Sequence, residues 1–209
     1  MGAIGMRYLA LGDSYTIGEG VGADERWPER LAALLRAQGV AVDAPEIVAR
    51  TGWTTGELMA GIDRAAPSGR FDLVSLLIGV NNQYRELDIA AYRGDFRALL
   101  ERAAAFAGGE ARRVLVLSIP DWSVAPFAQG RDRVRIATEI DRFNAINRQE
   151  TEARGARYVD VTKASRAVPG PWTEPPFAPD GLHPSGGMHA EWARLALPHA
   201  LAALGGEGR

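Results

Sequence analysis

Ser14, Asp180 and His183 are the residues whose types combine into a chemistry. A serine hydroxyl is a weak nucleophile until a base stands within hydrogen-bond reach. A histidine supplies that base. A carboxylate on its other ring nitrogen fixes the tautomer and stabilises the imidazolium. Asp180 lies just before His183 in the run Asp180-Gly181-Leu182-His183-Pro184, and Ser14 lies at the other end of the chain, in Gly12-Asp13-Ser14-Tyr15. An acyl-transfer intermediate also needs donors for its oxyanion. The Ser14 N–H, the Gly52 N–H and the Asn81 side-chain amide are candidates. Each residue has a plainer use as well. Serine caps helices, asparagine satisfies turns, and a loop histidine can bond a carbonyl. Asp13 reads as a structural residue that bonds nearby backbone.

The elements that must position these residues favour the chemical reading. Four apolar runs, Tyr8–Leu11, Leu73–Ile78, Val114–Ile119 and Tyr158–Val161, lack polar alternation, and Ile47–Ala49 is a weaker fifth. Such runs are strands covered on both faces, as in a parallel sheet. Helical stripes separate them: Trp27 to Leu35, Thr54 to Ala65, Tyr92 to Phe106, Ile136 to Ile146, and Met188 to Ala196. Alternating strands and helices predict an α/β sandwich. In open parallel sheets, ligands bind beyond the carboxyl ends of the strands. Ser14, Gly52, Asn81 and the Asp180/His183 pair all follow strands in this way. The proline-rich stretch 168–184 predicts an ordered loop, because proline lacks an N–H and fixes φ.

With these residues in place, the sequence resembles the SGNH (GDSL-type) hydrolases. Gly12-Asp13-Ser14, Gly52, Gly79-Val80-Asn81 and Asp180-Gly181-Leu182-His183-Pro184 match the four blocks of that family, in order. The resemblance implies a three-layer, flavodoxin-like fold with a five-stranded parallel sheet in the order 2-1-3-4-5. It implies metal-free and cofactor-free hydrolysis of acyl esters or thioesters. By block, Ser14 matches the nucleophile, Gly52 and Asn81 the oxyanion donors, and Asp180 and His183 the rest of a triad. Three features depart from the pattern. Tyr15 replaces the namesake leucine, Asn82 stands where aspartate is common, and Gly56 competes with Gly52 for the glycine block. An α/β-hydrolase would need a glycine where Thr16 stands.

Composition narrows the rest. The 209 residues carry a net charge of −2 and no cysteine, which excludes disulfides and thiolate metal sites. No basic patch points to nucleic acid. No apolar stretch approaches the ~20 residues of a membrane span. The expectation is one domain over 1–209 with a frayed tail at 205–209, in the cytoplasm, acting on a small-molecule ester. Oligomeric state is left open. Trp53, Trp122, Phe127, Trp172 and Phe177 fall in loops at the active edge and are candidates to line a substrate pocket. Arg131, Arg133 and Arg135 read as a solvated helix face rather than an anion site. Two alternatives to an esterase stay open: an acyltransferase using the same serine, and a flavodoxin-like binding module without turnover.

Overall fold

The computed structural model describes residues 5–167 and 175–205. Five strands form its sheet: β1 (Tyr8–Gly12), β2 (Glu46–Ala49), β3 (Leu73–Leu77), β4 (Val114–Leu117) and β5 (Arg157–Val159). All pair in parallel, in the order β2-β1-β3-β4-β5. The helices are α1 (Ser14–Ile17), α2 (Trp27–Ala37), α3 (Thr55–Ala65), α4 (Val80–Tyr84), α5 (Ile89–Phe106), α6 (Arg133–Arg154), α7 (Thr162–Arg166) and α8 (Gly186–Leu204). One layer is built on α2 and α8, the other on α3, α5 and α6. Every residue of β1, β3 and β4 is buried, as expected for strands covered on both faces.

Local chemistry sets the helix limits. Thr54 and Glu57 form a reciprocal capping box at the start of α3. Asp132 caps α6, which ends on Gly155 in the left-handed region. Ser185 caps α8, and its side chain accepts from the Met188 N–H. The apolar faces of α2 and α8 meet in the core, where Trp27 and Trp192 are fully buried.

The ladders of β3, β4 and β5 stop before the apolar runs do. Ile78, Ile119 and Val161 remain buried but lie outside the strands. At the β4–β5 end, side chains take over the backbone pairing. Asn144 Oδ1 accepts the Ile119 N–H at 2.8 Å, and Ser118 Oγ accepts the Val161 N–H at 2.8 Å. A buried backbone group needs a partner but not a strand partner.

Register brings the chemistry to one edge. Gly12 at the end of β1 is level with Ala49 of β2 and Leu77 of β3. The segments that follow, with Ser14, Gly52 and Asn81, therefore leave the sheet side by side.

Candidate active site

Ser14 opens α1 and is buried, with its N–H at a helix position that has no intrahelical acceptor. Asp13 caps the helix, its Oδ1 accepting the Tyr15 N–H at 3.0 Å. Burial pushes the Asp13 carboxyl up to about 7, although backbone N–H groups oppose the shift. Its Oδ2 is buried with no partner among the described residues.

Gly52 adopts a φ of +84°, in the left-handed region, and Gly79 a φ of +125°. A side chain at Gly79 would also strike the Tyr92 hydroxyl. The Gly52 carbonyl accepts from Arg85 Nη2 at 2.5 Å, and Arg85 also bonds Glu57 of the α3 cap. No bond from the Gly52 N–H is found among the described residues.

Asn81 donates one amide hydrogen to the Trp53 carbonyl at 2.9 Å, and the second has no acceptor among the described residues. Asn82 is buried and locks the same loop to α3. Its Oδ1 accepts the Thr55 N–H at 3.0 Å, and its Nδ2 donates to Thr55 Oγ1 at 2.8 Å. Thr55 passes its own hydroxyl hydrogen to Asp95. The amide at position 82 thus accepts as a carboxylate would, and its extra donor is used.

Asp180 and His183 sit on a tight loop after Pro175. The Ala178 N–H donates to the His183 carbonyl and the Ser185 N–H to the Pro176 carbonyl, so the loop closes on itself. Asp180 Oδ2 lies 2.5 Å from His183 Nδ1, and Oδ1 accepts the N–H groups of Leu182 and His183 at 2.9 and 3.0 Å. A carboxylate only accepts, so Nδ1 carries the proton. Partial burial pushes the Asp180 carboxyl up. The bonds from the His183 ring and from the two N–H groups outweigh that and hold it below the usual carboxylate range.

These pieces meet. Ser14, Gly52, Asn81 and His183 line one cavity of about 190 Å³, together with Tyr15, Thr51, Val80, Tyr84, Trp122, Phe127 and Leu182. Of the five candidate pocket aromatics, Trp122 and Phe127 are on its wall. Trp53 packs over Gly61 instead and reaches the site only through its carbonyl. Phe177 lines a separate groove beside Pro175 and Pro179. Trp172 lies outside the described residues.

Two aromatic residues of the cavity escaped the sequence reading. Tyr84 stands one helical turn after Asn81 on α4, so the i, i+3 spacing was the available signal. Tyr15 meets the His183 ring edge-on, with centroids 6.0 Å apart, and meets Trp192 at 5.9 Å. The residue in the leucine position therefore backs the imidazole, which the sequence reading did not foresee.

Among the described residues, no cluster of histidines and carboxylates could hold a metal ion. No helix of the described residues is long and apolar enough to cross a membrane.

The parallel 2-1-3-4-5 sheet, with helices on both faces, is an α/β sandwich of the SGNH-hydrolase type. Residues 10–190 match the GDSL-like lipase/acylhydrolase family, and the chain belongs to it. Solved structures share the fold at low identity. TesA aligns with a TM-score of 0.72 at 17% identity, covering 95% of this chain and 100% of its own. A lipase/acylhydrolase from Enterococcus faecalis aligns at 0.68 and 20%, over 94% and 95%. Axe2, an acetylxylan esterase from Geobacillus stearothermophilus, aligns at 0.65 and 19%, over 97% and 95%. No curated protein sequence matches the chain.

Proposed function

We propose that the protein is a serine esterase that hydrolyses small acyl esters through an acyl-enzyme on Ser14. One observation carries this reading. Ser14, His183 and the two further oxyanion donors line the same cavity, and Asp180 holds the far nitrogen of His183.

In the first half of the cycle, Ser14 Oγ attacks the ester carbonyl carbon, and His183 Nε2 takes the hydroxyl proton. The oxyanion is bonded by the Ser14 and Gly52 N–H groups and by the free amide hydrogen of Asn81. The tetrahedral intermediate collapses, the bond to the alkoxide breaks, and His183 gives its proton to the leaving group. In the second half, a water adds to the acyl-serine and His183 takes one of its protons. The acyl–oxygen bond then breaks, and the proton returns to Ser14. Asp180 stays ionised throughout, balancing the imidazolium.

The cavity of about 190 Å³ is small beside the roughly 300–1,000 Å³ of drug-sized sites, which favours a short acyl group. The test is hydrolysis of p-nitrophenyl acetate, butyrate and octanoate by the wild type and by Ser14→Ala. Loss of a triad member cuts turnover by roughly 10⁴–10⁶. The expected result is a collapse of that size in a folded variant, with acetate and butyrate preferred to octanoate. Activity surviving in Ser14→Ala would overturn the assignment.

A further inference from the structure

Arg131, Arg133 and Arg135 do not share one helix face or one environment, because α6 begins at Arg133 and Arg131 precedes its cap, Asp132. Arg133 bonds the Ala125 and Ala128 carbonyls. Arg135 lies between Glu86 and Glu139, at 2.7 Å from each. Arg131 has no carboxylate partner among the described residues, although Glu86 and Glu139 line the hollow it borders. Its guanidinium carbon instead stands 5.5 Å from the ring centre of Tyr84, 5.6 Å from that of Trp122 and 4.8 Å from that of Phe127. All three rings line the cavity of Ser14. Tyr84 and Phe127 are also exposed, so they reach from that cavity out to solvent, and Arg131 lies over them where they do.

Attraction to the ring faces holds a cation in this position without a counter-ion. A guanidinium held this way keeps its N–H fork available, and that fork matches the oxygens of a carboxylate or phosphate. Elsewhere on the cavity wall, Thr51 donates to the Glu19 carboxylate. At the Tyr84–Trp122–Phe127 rim, Arg131 is a cation with no carboxylate partner among the described residues, although Asp132, Glu86 and Glu139 line the hollow beside it.

We propose that Arg131 is a specificity-determining residue. It selects esters that carry an oxyanion, a carboxylate or a phosphate, on the portion extending past the Tyr84–Trp122–Phe127 wall. The inference rests on the esterase reading of the same site and adds a substrate class to it.

The test compares kcat/KM for phenyl acetate, 4-acetoxybenzoate and 4-acetoxyphenyl phosphate in the wild type, Arg131→Met and Arg131→Lys. Exposed ion pairs are weak individually, and charge-assisted bonds on an apolar wall are stronger. The ratio of each anionic ester to phenyl acetate should therefore fall roughly five- to tenfold in Arg131→Met. It should fall less in Arg131→Lys, and the wild-type advantage should shrink at about 1 M salt. Which anionic ester loses more separates carboxylate from phosphate recognition. Equal ratios in the wild type and Arg131→Met overturn the proposal. Benzoate binding, followed by tryptophan fluorescence, is scored alongside and requires no turnover. A matching loss of affinity in Arg131→Met supports the assignment, and equal affinity or no binding to either protein overturns it. Ester hydrolysis that depends on Ser14 but ignores Arg131 would sink this inference and leave the esterase reading standing. Arg131-dependent benzoate binding without ester turnover would sink the esterase reading, and with it the ester specificity, and leave Arg131 as an anion-binding residue only.

Discussion

The two halves of the candidate site are built differently. The half that holds the proposed nucleophile grows out of the sheet. Asp13, Ser14 and Asn82 are buried, and the loops of Gly52 and Asn81 are tied to each other and to α3 by Arg85, Asn81 and Asn82. The acid–base half is a surface loop. The Asp180 side chain is 42% exposed and that of His183 12%. It keeps its shape through its own backbone bonds, through the Phe127 N–H donated to the Gly181 carbonyl, and through Tyr15 behind the imidazole. One half borrows rigidity from the core. The other needs local bonds for every degree of order. The proposed catalytic pair on such a loop can be held well, but it has few redundant supports.

Four substitutions test this contrast. Asp180→Asn should be the most severe, because an amide cannot hold the Nδ1–H tautomer. A loss of roughly 10³–10⁴ in kcat is expected, with the fold intact by circular dichroism. A loss under tenfold would show that the exposed half tolerates change and that water replaces the carboxylate. Asn81→Ala removes one oxyanion donor from the rigid half, and kcat should drop by roughly 10²–10³ with KM little changed. A rise in KM alone would place Asn81 in ground-state binding.

The third substitution, Asp13→Asn, probes the buried wall beside the nucleophile. The folded carboxyl titrates near 7, above its ordinary value of 3.8. The folded state therefore holds this proton more tightly than the unfolded chain. The resulting stability is full below about pH 4 and is lost as pH rises through about 7, on the order of a few kcal/mol. Asn keeps the cap but cannot titrate. Its unfolding midpoint in urea should fall less than that of the wild type between pH 5 and pH 8. Parallel curves would mean that Asp13 is already ionised at pH 5. The fourth, Asn82→Ala, leaves the Thr55 N–H buried and unpaired, at a cost of about 1–3 kcal/mol in stability. A neutral result by urea unfolding would mean that the two loops do not depend on this link.

Much of this was legible in the sequence, and unevenly so. The strands and helices were readable because unbroken apolar runs and helical stripes encode burial directly. The edge that collects Ser14, Gly52, Asn81, Asp180 and His183 follows from that alternation. Exact strand ends were not readable, because Ser118 and Asn144 replace ladder bonds from far along the chain. The pocket aromatics were half readable. A loop aromatic at the active edge faces the cavity, as Trp122 does, or packs over a glycine, as Trp53 does. Only tertiary contacts decide between the two. The ring contacts of Arg131 were not readable for the same reason. Its neighbours Arg133 and Arg135 find ordinary partners, and nothing local marks the one that lies across three rings.

The docking of α2 against α8 has a consequence for the order of synthesis. The Trp27 N–H at the start of α2 donates to His189 of α8, and Trp27 and Trp192 are buried in this layer. The Asp180–His183 loop runs directly into α8. A nascent chain emerges from its N-terminal end. It therefore displays Ser14, just after β1, before it acquires His183, on the order of 170 residues later. That histidine is set in place when α8 closes over α2. Until α8 docks, the proposed nucleophile has no base, and activity would switch on with that docking step.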